Sequence, residues 1–509
     1  MVNNIPNGKI RGSSSVWLEH LFVEQGVGGS SPPYRTTRRS QECLNKMNKE
    51  KQIKATLPSG FKDRSGDELA LKKKLLDIIE KNFIKFGFSP LETSPMELSS
   101  VIGNSLAEDD ENPMADIFTF DDSGTDLSLR YDLSQGCIRY YSQNYLELPN
   151  PYKRYQMGIV YRREKPGNGR FKSFGQCDVD IIGKFDIKQA NAELCNVIAS
   201  TFIECGLKKS EFVINVSNRK IVQGLMNELK IVDEKQKQKV LRAIDKLDKE
   251  GFGFQGVNEL LRTERRDSSG AITKGANLSD EQASKIIDFL KVKDLSDLKK
   301  NMMNPLSQEG IKELEDLFEV LKYSEYADLV KFEPSRIRGL DIYSGWILET
   351  ALKFDVKNPK GKVIAPGSPC SGGEYLVTKF KGDPFLGTGI SIGIDRLIFC
   401  LMQKKGIDSK EQKPALVCIM DPKFLEKYYE ILNTLRDNNI NSEIFLESNK
   451  KLSKQLDYAS RRGLSVAIIC GENEFKDNTV TLKNLKGAKG ENQITIPREN
   501  LINEVKKYI

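Results

Sequence analysis

The stretch Tyr161-Arg162-Arg163-Glu164-Lys165-Pro166, a short Gly/Asn loop, then Arg170-Phe171 and Phe174-Gly175-Gln176-Cys177-Asp178-Val179-Asp180 decides how this chain is read. Together with the stretch from Tyr152 it predicts two long antiparallel strands, over 152–161 and 171–182, joined by a polar Gly/Pro loop. An arginine at a strand end can grip a phosphate bidentately, because its planar fork matches the phosphate oxygens. Gln176 and Asp180 stand four apart on one strand and therefore share a face. Acceptors on a common face can hold a substrate ammonium.

Outward from this hairpin, apolar residues recur at helical spacing over 67–86 (Leu71, Leu75, Ile79, Phe83), and Gly87 stops the helix. Residues 88–97 read as a strand interrupted by prolines, 117–120 and 127–130 as short strands, and 136–144 and 187–205 as helices. From about Asn218 to Ser324 the chain turns charged and helical, which predicts an inserted helical domain over 218–325. Strand-like, Gly-rich sequence resumes at Ser335 and leads into a helix near Ile394. After a polar linker, 404–413, strands alternate with helices from Pro414, which predicts a small α/β domain with a mostly parallel sheet.

Bulk composition narrows the chemistry. The 509 residues suffice for several domains. No apolar run is long enough to cross a bilayer and no signal pattern opens the chain, so a cytoplasmic protein is expected. Nine cysteines, none in C-x-x-C spacing, indicate neither a zinc site nor a disulfide framework, and no protein-ligated metal is expected. A net charge of +7 suits a polyanionic partner without requiring one. With His20 the single histidine, catalysis built on imidazole is nearly excluded.

The arginine-to-aspartate string resembles motif 2 of class II aminoacyl-tRNA synthetases, in the form of the histidyl-tRNA synthetases. Lys85, Gly87 and Pro95 resemble motif 1, and Gly387-Thr388-Gly389 with Gly393-Ile394-Asp395-Arg396-Leu397 resembles motif 3. Arg338-Gly339-Leu340-Asp341-Ile342-Tyr343 is similar to the histidine-specific signature, although Ile342 stands where that signature has a tyrosine. Ser371-Gly372-Gly373-Glu374-Tyr375 looks like its second loop, with Glu374 at a place where arginine is more usual. The resemblance runs from about Thr56 to the C-terminus.

That resemblance implies an α/β protein with an α+β catalytic core: an antiparallel sheet flanked by helices, split into 47–217 and 326–403, followed by an anticodon-binding domain over 414–509. It implies ligation of histidine to tRNA(His) through a histidyl-adenylate, with ATP and Mg²⁺, by a cytoplasmic homodimer. Arg162 and Arg338 would bracket the α-phosphate and Arg396 would take the γ-phosphate. Asp132, Leu133, Ser134, Gln176, Asp180, Arg338, Tyr343 and Tyr375 would hold histidine. Glu92 and Glu97 suggest themselves as partners of the imidazole ring without being assigned. Lys450, Lys451, Lys454, Arg461 and Arg462 form a basic cluster that would meet tRNA. A histidine carboxylate is already an anionic nucleophile, so the reaction needs no general base. Two other readings compete: a synthetase-like regulatory subunit of an ATP phosphoribosyltransferase, and a class II synthetase for another amino acid.

Residues 1–46 differ in composition. Gly28–Pro32 can be encoded by codons containing GTTCGA, the T-loop sequence of a tRNA gene, and Trp17–His20 by a run resembling a D-arm. The leader is therefore expected to be a translated tRNA gene, with Met47 as the working start. Residues 1–46 hold six Lys/Arg against three Asp/Glu, so the charge from 47 onward falls to +4 and the remaining chain has no histidine. On the expected role of Arg338, Arg338→Ala cuts adenylate formation at least about 100-fold while histidine affinity changes little. Measured by single-turnover adenylate formation, a near-wild-type rate contradicts that role.

Overall fold

Helix Gly66–Lys85 turns Leu71, Leu75, Ile79 and Phe83 to one side, the four-residue spacing of a buried face. These side chains close one flank of an eight-stranded sheet, the centre of this computed structural model. The structure describes residues 54–103, 116–248, 251–266, 272–337, 343–378, 380, 384–404, 411–447, 449–486 and 492–509. Ser59–Ile509 forms one compact unit; of the preceding unit only 54–58 are described, without regular structure. The expected leader over 1–46 and its boundary at Met47 lie outside the described residues.

Across the sheet the strands run Ser89–Pro90, Tyr152–Tyr161, Ser173–Gly183, Phe385–Gly393, Cys370–Val377, Tyr343–Leu352, Phe212–Asn218 and Val330–Phe332. The six inner strands are antiparallel to their neighbours, and only the two edge pairings are parallel. Alternation along Ser173–Gly183 sends Cys177, Val179 and Ile181 into the main apolar core, which leaves Gln176, Asp178 and Asp180 for the opposite face. Helix Ile187–Glu204 covers the core face with Leu194, Ile198 and Phe202, and its start is capped by Asp186 accepting the Lys188 N–H at 3.2 Å. Buried Asn82 joins it to the first helix, donating to Thr201 Oγ1 at 2.5 Å and accepting from Ser200 Oγ at 3.0 Å.

The strand expected over 88–97 is two strands. Pro90 and Pro95 cannot donate to a ladder, so Ser89–Pro90 ends in the large sheet and Met96–Leu98 joins a separate three-stranded sheet with Thr119–Asp122 and Thr125–Leu129. The stretch after Asn218 is helical as expected, from Arg219–Glu228 to Pro305–Leu321, with Asn218, Asp233, Ser279, Asp294 and Asn304 accepting the N–H groups of the first turns. Its first and last helices pack on the sheet, and its Leu260, Ile286 and Leu317 belong to the same apolar cluster as Val179 and Ile214. Strand structure resumes at Val330, slightly before Ser335.

From Ala415 three parallel strands, Ala415–Val417, Ser442–Ile444 and Val466–Ile469, are extended by an antiparallel hairpin, Thr479–Asn484 and Gln493–Pro497. Their sheet has its own apolar clusters. No helix among the described residues is long and apolar enough to cross a membrane.

Candidate functional site

The polar face of the hairpin forms one wall of a cleft; strands Phe385–Gly393 and Cys370–Val377 continue it, and the start of helix Ser134–Asn144 flanks it. At one end three arginines converge. Arg162 stacks over the Tyr131 ring at 4.3 Å and the Phe174 ring at 5.2 Å, and its Nε donates to Tyr131 O at 3.2 Å. Aromatic faces and a carbonyl thus fix the guanidinium in place. Arg396 donates to Ser368 O at 2.7 Å, and burial, aggravated by Arg170 and Arg162, pushes its pKa down to about 10. Glu164 is the local counter-anion, 3.6 Å from Arg162 and 3.8 Å from Arg170. Three guanidiniums facing one carboxylate make an anion site with room for more than one negative charge.

Arg396 is held in place by its neighbour. Asp395 accepts the Gly175 N–H at 2.6 Å and pairs with Arg64 at 2.6 Å, so the first turn of helix Ile394–Leu401 is clamped to the strand that carries Gln176.

The other end is acidic. Asp180 accepts from the Tyr375 hydroxyl at 2.7 Å and pairs with Arg154 at 2.5 Å. A Cβ on Gly389 would stand 2.2 Å from Asp180 Oδ1, and one on Gly387 would stand 2.3 Å from the Tyr375 ring. The Gly-Thr-Gly run therefore makes room for both side chains, while the intervening Thr388 points away and bonds Asn191 at 2.8 Å. Asp132 lines the cleft and accepts the Gln135 N–H at 2.9 Å. Gln176 is buried on the wall with an Oε1 that has no hydrogen-bond partner among the described residues, an acceptor aimed at the cleft.

Of the residues singled out from sequence, Arg162, Arg396, Asp132, Ser134, Gln176, Asp180, Tyr343 and Tyr375 come together around this one cleft. Leu133 does not. Its side chain is wholly buried, and its carbonyl accepts from Arg154 at 3.2 Å and from the Cys137 N–H at 3.4 Å. Arg338 lies outside the described residues. Glu97 is taken by Arg139 through bonds of 2.7 and 2.8 Å, which removes it as a free ring partner. Glu374 faces away from the cleft toward Lys220 and Glu313, as alternation beside Tyr375 demands, and burial raises its pKa to about 7. In the C-terminal sheet region Lys450, Lys454 and Arg462 pair with Glu447, Asp457 and Glu443.

Sequence reasoning passed over Asp178 and Arg154, although Asp178 lies midway between Gln176 and Asp180 and shares their face by the same alternation. Both are completely buried. Burial pushes the Asp178 pKa up to about 7, Arg154 opposing the shift and Asp180 adding to it. Against an ordinary value of 3.8, the native state then binds the extra proton between about pH 4 and 7, so this group favours folding at low pH and loses that contribution as pH rises through 7. Asp178→Asn is expected to raise the unfolding free energy at pH 8 by about 1–3 kcal/mol and to do much less at pH 4.5. Denaturant melts at the two pH values check this; an equal shift at both contradicts it.

A family model described as Histidyl-tRNA synthetase matches residues 60–397, and one described as Anticodon binding domain matches 414–508. A histidine–tRNA ligase of Pelagibacter ubique is 61% identical over 466 residues, which span 91% of this chain and all of that protein. One from Rhizobium leguminosarum bv. trifolii is 36% identical, over 91% of this chain and 97% of its own length. The crystal structure of a histidyl-tRNA synthetase from Nostoc superposes with a TM-score of 0.69 at 27% identity, covering 90% of this chain and all of that one. On the match of family model and relatives alike, this chain belongs to the histidyl-tRNA synthetase family.

Proposed function

We propose that this chain activates histidine with ATP and loads it onto tRNA(His). The observation that carries the reading is the division of charge within one cleft: carboxylates at one end, guanidiniums at the other. A zwitterionic amino acid presenting its ammonium to Asp180 and the Gln176 acceptor directs its carboxylate toward the arginine end, where a triphosphate would lie. Asp132, Ser134, Tyr343 and Tyr375 complete the amino-acid end in this proposal.

In-line attack of that carboxylate on the α-phosphorus yields histidyl-adenylate and pyrophosphate. Arg162, joined by Arg338, would stabilise the charge that grows on the α-phosphate, and Arg396 would hold the γ-phosphate. The nucleotide would enter as MgATP, the ion travelling with the substrate phosphates. No step requires a histidine side chain. In the second half-reaction the terminal ribose hydroxyl of the tRNA attacks the adenylate carbonyl and releases AMP. We assign 47–217 and 326–403 to the catalytic core, 218–325 to a helical insertion, 404–413 to a linker and 414–509 to anticodon binding.

A homodimer is part of the proposal. Met96, Leu98 and Phe120 are exposed apolar side chains on the three-stranded sheet, and Ile159 on the large sheet, a set that solvent alone disfavours. Such a reaction, fed by ATP and tRNA, belongs in the cytoplasm.

Pyrophosphate exchange run with each of the twenty amino acids tests the function: histidine alone is expected to support exchange. Dependence on another amino acid transfers the chain to that specificity, and silence with all of them favours a regulatory role. Gly389→Ala, which drives a methyl into the Asp180 carboxylate, is expected to raise the Michaelis constant for histidine at least about 10-fold, because that carboxylate must swing away. An unchanged constant for histidine would remove Asp180 from the amino-acid site.

A further inference from the structure

We infer that Arg154 is the positioning residue of the amino-acid end of the cleft, a buried guanidinium that holds Asp180 and the adjoining wall segment in one arrangement. The inference rests on the reading of that end as the histidine site. Arg154 stands directly opposite Asp180 in the hairpin and is completely buried, so it cannot itself meet a substrate in the cleft. Its Nη2 lies 2.5 Å from Asp180 Oδ2 and 3.2 Å from Leu133 O, and its Nε lies 3.0 Å from Cys137 Sγ. Leu133 adjoins Asp132 and Ser134 on the cleft wall, and Cys137 sits in the first turn of helix Ser134–Asn144. One side chain therefore ties the strand that carries Asp180 to the segment that faces it.

The arrangement divides the work of Asp180 between its two oxygens. Oδ2 is held by Arg154 and Oδ1 accepts from Tyr375, so the carboxylate has no freedom to rotate, and both partners oppose the upward pull of burial on its pKa. Asp178, diagonal to Arg154 on the same face, is a second carboxylate in the field of the same guanidinium. A guanidinium keeps its proton under all ordinary conditions, so this counter-charge does not switch off. Without it, two neighbouring buried carboxyl groups would lose their shared cation, and Asp180 would take up a proton more readily or turn away. A protonated acid no longer attracts an ammonium. The arginine cluster at the other end draws on none of these contacts.

The test uses the full chain in histidine-dependent pyrophosphate exchange, with Michaelis constants measured separately for histidine and ATP. Arg154→Met is expected to raise the constant for histidine at least about 30-fold and that for ATP less than about 3-fold. Arg154→Lys keeps the charge without the fork and should fall between wild type and Met. Should Arg154→Met fail to fold, Arg154→Met/Asp178→Asn removes one stranded carboxylate and keeps the raised histidine constant in a folded protein. A folded Met or double variant with a wild-type histidine constant overturns the inference, as does an equal rise for both substrates or a loss confined to the titrated fraction of active sites. Absence of histidine-dependent exchange in the wild type would instead sink the functional reading, before any variant is compared.

Discussion

Three guanidinium groups, from Arg162, Arg170 and Arg396, share one end of a cleft with a single carboxylate, Glu164, among the described residues. Their mutual repulsion opposes folding, and the burial of Arg396 makes it worse. The arrangement persists because rigid elements impose it. Tyr131 and Phe174 pin Arg162, and Asp395 clamps the helix start that carries Arg396 to the strand beside it. The large apolar core beneath the sheet supplies the stability that such a site consumes. A bound polyphosphate would relieve the repulsion, which is how a strained cation cluster becomes binding energy.

The opposite end solves a complementary problem. Asp180 and Asp178 are both deeply buried, a costly placement for carboxylates, and Arg154 offsets part of that cost from the neighbouring strand. Glycines at 387 and 389 leave space that any side chain would fill, so Tyr375 and Asp180 can approach each other. The two halves of the cleft thus rely on opposite devices: arginines braced by aromatic rings at one end, a carboxylate braced by arginine and tyrosine at the other. Neither half needs an imidazole, which agrees with a chain whose single histidine is His20. Chemistry between an existing carboxylate nucleophile and a phosphorus depends on alignment and charge more than on proton transfer.

Much of this was legible in the amino-acid order. The spacing of Gln176 and Asp180 on the strand read over 171–182 put both on one face, and helical spacing over 67–86 marked the buried face. Residues of four short motifs, among them Asp132, Arg162, Tyr375 and Arg396, line one cleft although they are scattered along the chain. Other features were hidden for identifiable reasons. Leu133 sits within a polar motif, yet the turn into helix Ser134–Asn144 buries it, and no local pattern announces that. Arg154 looks like an ordinary strand arginine until its register with Asp180 is known, since pairing between strands is a tertiary fact. The helices after Asn218 read as a separate body because their charge is on their exposed faces, whereas their apolar faces merge with the core of the sheet.

A crystal structure of the chain with a non-hydrolysable sulfamoyl analogue of histidyl-adenylate tests the central claim most directly. The ammonium is expected within hydrogen-bond reach, about 3 Å, of Asp180, and the phosphate-mimicking group at a similar distance from Arg162. An analogue bound in the reverse sense, or bound away from the cleft that joins these two residues, would contradict it.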